Sequence, residues 1–198
     1  AHPFFQLMME TNLLDSLLPA LSTQLREHGP EHPFWRRMET LDRRIQEGAS
    51  FSAPVLLSLL LHTVLFRDHE LWEGKQGNPP DVWRYVQSNW RESSRTIRVS
   101  RRDMERVAQI LISYRKLLQS IDRRRLLPSL TRKNYLSEAL DFLEIDLESK
   151  GKGTPLVAIW REQAPPPPVA EPRYRFLPGG GEPRRRRRRP ADPVRGGP

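Results

Sequence analysis

The chain contains no cysteine. Disulfides and cysteine-ligated zinc are therefore excluded, and the composition fits a reducing compartment, so the cytoplasm is the expected location. No apolar run approaches the roughly twenty residues that cross a bilayer, and no membrane is expected as a partner. No stretch keeps a period-two alternation long enough to suggest a sheet. Gly179, Gly180 and Gly181 follow no strand pattern and open no helix, so no phosphate-cradling loop is read there.

Glycine and proline are unevenly placed. Residues 164–198 hold ten of the 19 prolines and five of the 11 glycines, a composition that leaves too little apolar surface to offset ordering and predicts a disordered tail. The folded part is expected over residues 1–163. Charge divides the same way: nine tail arginines against Glu171, Glu182 and Asp192 give +6 of the total +9.

The body reads as an all-α, irregular bundle of seven or eight helices. Pro54 to Phe66 is apolar on nearly every side, as a helix buried among others would be, and Ser52 is placed to cap it. Before it, Phe4, Phe5, Met8, Met9, Leu13, Leu14, Leu17, Leu18 and Leu21 recur at helical spacing through two segments joined at Thr11-Asn12. A helix over 33–47 would bury Phe34, Trp35, Met38, Leu41 and Ile45 and turn Arg36, Arg37, Arg43 and Arg44 to the other face. Asn78-Pro79-Pro80 opens a further helix with Val82, Trp83, Val86 and Trp90 inward. Ser100 caps the next, with Asp103 at the capping-box position and Met104, Val107, Ala108, Leu111, Arg115 and Leu118 along it. Leu136, Ala139, Leu140, Leu143 and Leu147 mark another, and Leu156, Val157, Ile159 and Trp160 a short last one.

Catalytic chemistry needs converging acids, bases, nucleophiles or metal ligands. Glu144-Ile145-Asp146 and Asp146-Leu147-Glu148 have acid-x-acid spacing, but on a helix such residues point about 200° apart, so a solvated acidic face is expected. His28 and His32 are separated by the helix-breaking Gly29-Pro30, which argues against a shared metal. His62, inside the apolar run, reads as a core or interface histidine making one hydrogen bond. No catalytic residue, metal ligand or cofactor-binding residue is assigned in this chain.

The basic residues carry the strongest physical signal. Arg184, Arg185, Arg186, Arg187, Arg188 and Arg189 form an unbroken run between prolines. Guanidinium groups on an open chain reach phosphates and release their counterions, and they stack on exposed bases, which favours single-stranded RNA. A second set lies in the body: Arg95, Arg98, Arg101, Arg102 and Arg106, then Arg115, Lys116, Arg123, Arg124, Arg125, Arg132 and Lys133, with only Asp103, Glu105 and Asp122 as acids between residues 96 and 135. This predicts a basic surface along which an RNA backbone could track, with Tyr114 and Tyr135 as stacking rings.

Several motifs then agree, in order, with a known family. Leu41-Asp42-Arg43-Arg44-Ile45, Glu47-Gly48, and Ser52-Ala53-Pro54 leading into Leu56-Leu57-Ser58-Leu59-Leu60 resemble the body of bacterial poly(A) polymerase, a class II nucleotidyltransferase like the CCA-adding enzymes. Residues 13–21, 97–118 and 139–143 resemble its post-neck segment, its basic link with a long helix, and its late body helix. The arginine- and proline-rich end is similar to the tail of the polyadenylating branch. Ser137 and Asp146 stand where that family's late helix has basic residues, and Asn12 where a glycine is expected. The resemblance implies a body and tail that hold single-stranded RNA 3′ ends, with RNA-decay proteins as further partners. ATP and magnesium would belong to a catalytic head expected before Ala1, which would add AMP to the RNA. Alternatives from the residues alone are a free-standing RNA-binding or adaptor protein, a CCA-adding fragment, and a helical protein-interaction domain with a solubilising tail.

Overall fold

The computed structural model of the chain describes residues 1–65 and 99–164. The expected helix after Pro80, Arg95 and Arg98, and the whole arginine-rich tail lie outside the described residues. Among those described there are nine α-helices and no strand: α1 (His2–Glu10), α2 (Leu13–Leu17), α3 (Pro19–His28), α4 (Pro33–Gln46), α5 (Ala53–Leu65), α6 (Arg101–Asp122), α7 (Pro128–Thr131), α8 (Leu136–Ser149) and α9 (Pro155–Glu162). A short 3₁₀ turn, Gly29–Glu31, joins α3 to α4. None of these helices is long and apolar enough to cross a membrane.

Proline sets where helices begin. Every described proline outside the 3₁₀ turn lies in the first two positions of an α-helix, where its missing N–H has no intrahelical bond to lose. Pro19 also explains why the N-terminal stretch forms three helices rather than the expected two. The residue before a proline is pushed out of the α region. Leu18 accordingly adopts φ −140° and ψ 67° and ends α2. Thr11-Asn12 is the other junction, with Asn12 in the left-handed region at φ 56°.

Two helices share the centre. Helix α5 packs against α3, α4, α6 and α8, and α8 packs against α4, α5, α6 and α9. On α5, Val55 and Leu59 are fully buried, as the all-round apolar pattern predicts. On α8, Leu136, Ala139, Leu140 and Leu143 are fully buried, and Phe142 joins them. The α4 stripe is narrower than expected: Phe34, Met38 and Leu41 are buried, whereas Ile45 is 49% exposed. Ser52 does not cap α5 with its side chain. Its carbonyl accepts from Val55 and Leu56, while its hydroxyl donates to Glu138 at 2.6 Å.

Two caps are made by side chains. Ser100 Oγ accepts from the Asp103 N–H at 3.1 Å and donates to the Asp103 carboxylate at 2.6 Å, the reciprocal arrangement that the sequence suggests for α6. At α4, His32 Nδ1 accepts from the Phe34 N–H at 3.1 Å. That bond requires an unprotonated Nδ1. Burial, with the His28 ring and the Arg37 guanidinium nearby, holds the His32 pKa below its ordinary value. A histidine with a lowered folded pKa adds stability above its unfolded value of about 6.5, and that stability is lost as pH falls toward the folded value. Urea midpoints should therefore drop as pH falls below about 6.5. His32→Asn, a neutral cap worth roughly 1 kcal/mol over Ala, should drop measurably less. Equal drops in the two chains would show that the cap does not titrate.

Candidate nucleic-acid interface

Two groups stand out among the cations of the body, one held by the late helix and one not. Helix α8 carries Glu138, Asp141, Glu144, Asp146 and Glu148, and all five are engaged by cations from elsewhere in the fold or from its own end. Arg106 of α6 pairs with Glu138 at 3.0 Å. Arg161 of α9 reaches Asp141 and Glu144, each at 2.6 Å. Arg44 reaches Glu144 at 2.6 Å and Glu148 at 2.5 Å, and Arg43 bridges Glu148 at 2.6 Å and Glu47 at 2.8 Å. The resulting carboxylate binding raises the Arg44 pKa and, despite partial burial, lowers that of Glu148.

Asp146 lies at the heart of this set. Its side chain is fully buried, with Arg37 Nε at 3.0 Å on one oxygen. The other oxygen accepts from the Tyr114 hydroxyl and from Lys150 Nζ, the latter at 2.6 Å. Arg37 also donates to the Thr63 hydroxyl at 3.1 Å. Burial alone would push the Asp146 carboxyl up, but Arg37, Lys150 and the Tyr114 hydroxyl together hold it below its ordinary value. Tyr114 is shifted up, by burial first and then by the Asp146 charge. The His62, Tyr114 and Phe142 rings close over this cluster with centroids 5.1–5.4 Å apart.

These contacts correct three expectations and give the Asp42-Arg43-Arg44 motif a role. The acid-x-acid residues are not a solvated face, because Asp146 is buried and Glu144 and Glu148 are held in ion pairs. Arg37 does not share the outer face of α4: at 6% exposure it belongs to the core. The Asp42-Arg43-Arg44 motif works mainly across helices rather than within one: Asp42 accepts from the His2 N–H at 2.7 Å, and Arg43 and Arg44 clamp α8. Tyr114, at 4% exposure with its hydroxyl engaged, presents no ring to a base.

The second group of cations is left over. Residues 123–137 contain Arg123, Arg124, Arg125, Arg132 and Lys133 and no acid, and all five cations are exposed. None has an ion-pair partner among the described residues. They are carried by the turn that closes α6 and by the residues just after the short helix α7. Arg101 and Arg102 are exposed at the start of α6, with Arg101 paired to Glu105 at 3.0 Å. Arg106 is mostly covered: besides Glu138 it donates to Asn134 at 2.9 Å and lies 5.9 Å from the centroid of the half-buried Tyr135 ring. The sequence pattern listed these arginines together; only the fold separates those that neutralise α8 from those that face solvent.

A metal reading of the two adjacent histidines gains nothing from their closeness. Their rings meet edge to face with centroids 5.3 Å apart. His32 Nδ1 is an acceptor, so its proton sits on Nε2, the nitrogen a metal would need. No group of three or more His, Cys, Asp or Glu among the described residues is placed to hold a metal ion. In comparisons with known proteins, no family model, no curated protein and no solved structure matches this chain.

Proposed function

We propose that this chain is an RNA-holding helical body with a basic tail, of the kind found in bacterial poly(A) polymerases. It acts in the cytoplasm on single-stranded 3′ ends that a separate catalytic head, using ATP and magnesium, would extend with AMP. The observation that carries the RNA-holding part is the sorting of cations: five exposed basic residues over 123–133 have no ion-pair partner among the described acids, while Arg37, Arg43, Arg44, Arg106 and Arg161 are held by α8. Fixed cations without fixed counter-ions are the electrostatic footprint of a polyanion partner. The family assignment rests on the ordered motifs from Leu13 to Leu143 and on the six tail arginines. RNA-decay proteins are the further partners this reading implies. An uncharged or basic protein partner fits the unpaired group less well.

Oligo(A) binding to the full chain tests the reading. Replacing Arg123, Arg124, Arg125, Arg132 and Lys133 with glutamine should make the plot of log affinity against log salt shallower by about 3.5, at roughly 0.7 for each single-strand phosphate released. An unchanged slope would remove this surface from the interface.

A further inference from the structure

Three helices end in the same hydrogen-bond pattern, and one departs from the residue it calls for. After α4, Gly48 N–H bonds to the Ile45 carbonyl and Ala49 N–H to that of Arg44, with Gly48 at φ 94°. After α8, Gly151 N–H bonds to Glu148 and Lys152 N–H to Leu147, with Gly151 at φ 67°. After α6, Arg124 N–H bonds to Ile121 at 2.9 Å and Arg125 N–H to Ser120 at 3.0 Å, with Arg124 at φ 51°. The left-handed position of this motif favours glycine, because any side chain there crowds the backbone. An arginine costs stability at that position. Strain of this kind concentrates at functional sites.

Arg124 lies on a pocket. A cavity of about 440 Å³ opens between the α6–α7 turn and α9, lined by Arg124, Arg125, Leu126, Leu156, Ile159 and Trp160 among others. That volume falls in the range of about 300 to 1,000 Å³ typical of small-ligand sites. Its chemistry is divided. Ile159 is 52% exposed for an apolar side chain, and Leu126, Leu156 and Trp160 supply further apolar wall. The two guanidinium groups bring charge without a carboxylate partner among the described residues. A ligand that satisfies both parts has a flat, largely apolar body and a compact anion. Arginine is suited to the phosphate, through forked donors, and to a ring, by stacking.

We infer that this pocket takes one nucleotide unit, its phosphate on Arg124 and Arg125 and its base against the apolar wall formed with Ile159. The inference rests on the RNA-holding reading and gives that surface a discrete subsite rather than a diffuse charge. A free nucleoside monophosphate and a nucleotide within an RNA share this chemistry, so both are used as probes.

Arg124→Gly is the decisive variant, because it removes the guanidinium while installing the residue that the turn prefers. Its melting temperature should equal or exceed that of the parent chain, whereas its affinity for AMP should fall at least about tenfold. Ile159→Glu, which puts a negative charge on the apolar wall, should lose AMP binding as well. In the parent, oligo(A) should displace AMP, and 8-azido-AMP should cross-link within residues 123–131 or 155–163. Parental AMP affinity in Arg124→Gly, cross-linking elsewhere, or equal displacement by a poly-glutamate peptide would each overturn the pocket. AMP that oligo(A) cannot displace would keep the nucleotide site but sever it from RNA. Oligo(A) binding that neither variant weakens would likewise remove the pocket from the RNA path and leave the RNA-holding surface standing. A parent chain that binds neither probe would end both readings.

Discussion

Arg37→Met should destabilise the fold by about 3 to 5 kcal/mol, and Asp146→Leu by a similar amount, the range found when one partner of a buried ion pair is removed. The reason is desolvation. With Arg37 gone, the fully buried Asp146 carboxylate keeps only Lys150, itself 41% exposed, and the Tyr114 hydroxyl. With Asp146 gone, Arg37 keeps only the neutral Thr63 hydroxyl among its described partners. The Arg37→Met/Asp146→Leu double variant should recover much of the loss, because two apolar side chains replace the buried pair and the only charge left at the site is that of Lys150, which is 41% exposed. Urea unfolding of the four chains gives the cycle directly. Losses below about 1 kcal/mol in both single variants would mean that water reaches the pair.

The same pair fixes the sign of the acid response. Asp146 has a folded pKa below that of an unfolded aspartate, which is about 4. Its contribution is therefore complete above about pH 4 and is lost as pH falls through the folded value. The parent chain should lose stability in that acid window more steeply than the double variant, in which nothing at this position titrates.

Replacing the six arginines from Arg184 to Arg189 with glutamine should make the salt dependence of oligo(A) binding shallower by about four in log–log slope. Each single-strand phosphate contact contributes roughly 0.7, and the run supplies six cations. Between about 50 and 200 mM salt, the parent chain should lose roughly a few hundredfold more affinity than the variant. Far-ultraviolet circular dichroism should not change, because the substitution leaves residues 1–163 intact. If the two slopes coincide, the run makes no phosphate contacts, and RNA holding falls to the body surface alone.

These two outcomes draw on different kinds of information. The tail prediction needs only the residues, because a charge run between prolines carries its own chemistry wherever the chain takes it. The helices were similarly legible. Leu136, Ala139, Leu140, Leu143 and Leu147 follow a helical period and are buried, and Ser100 caps α6 as its sequence suggests. The breaks at Thr11-Asn12 and Gly29-Pro30 are local consequences of turn chemistry. The four-residue helix Pro128–Thr131 left no periodic signal, because one turn is too short to show a period.

The partners of the charges were not legible. Arg36 and Arg37 are neighbours in the sequence, yet Arg36 is exposed while Arg37 is buried against an aspartate 109 positions away. Acid-x-acid spacing on α8 suggested solvent, but cations from α4, α6 and α9 made burial affordable there. By itself, then, the sequence determined an all-helical body, most helix boundaries and a strongly basic end, because propensity, capping and net charge depend on residues close together in the chain. Tertiary structure alone decided which arginines neutralise α8 and which stay available to a polyanion, because an ion pair depends on distances set by packing between helices remote in sequence.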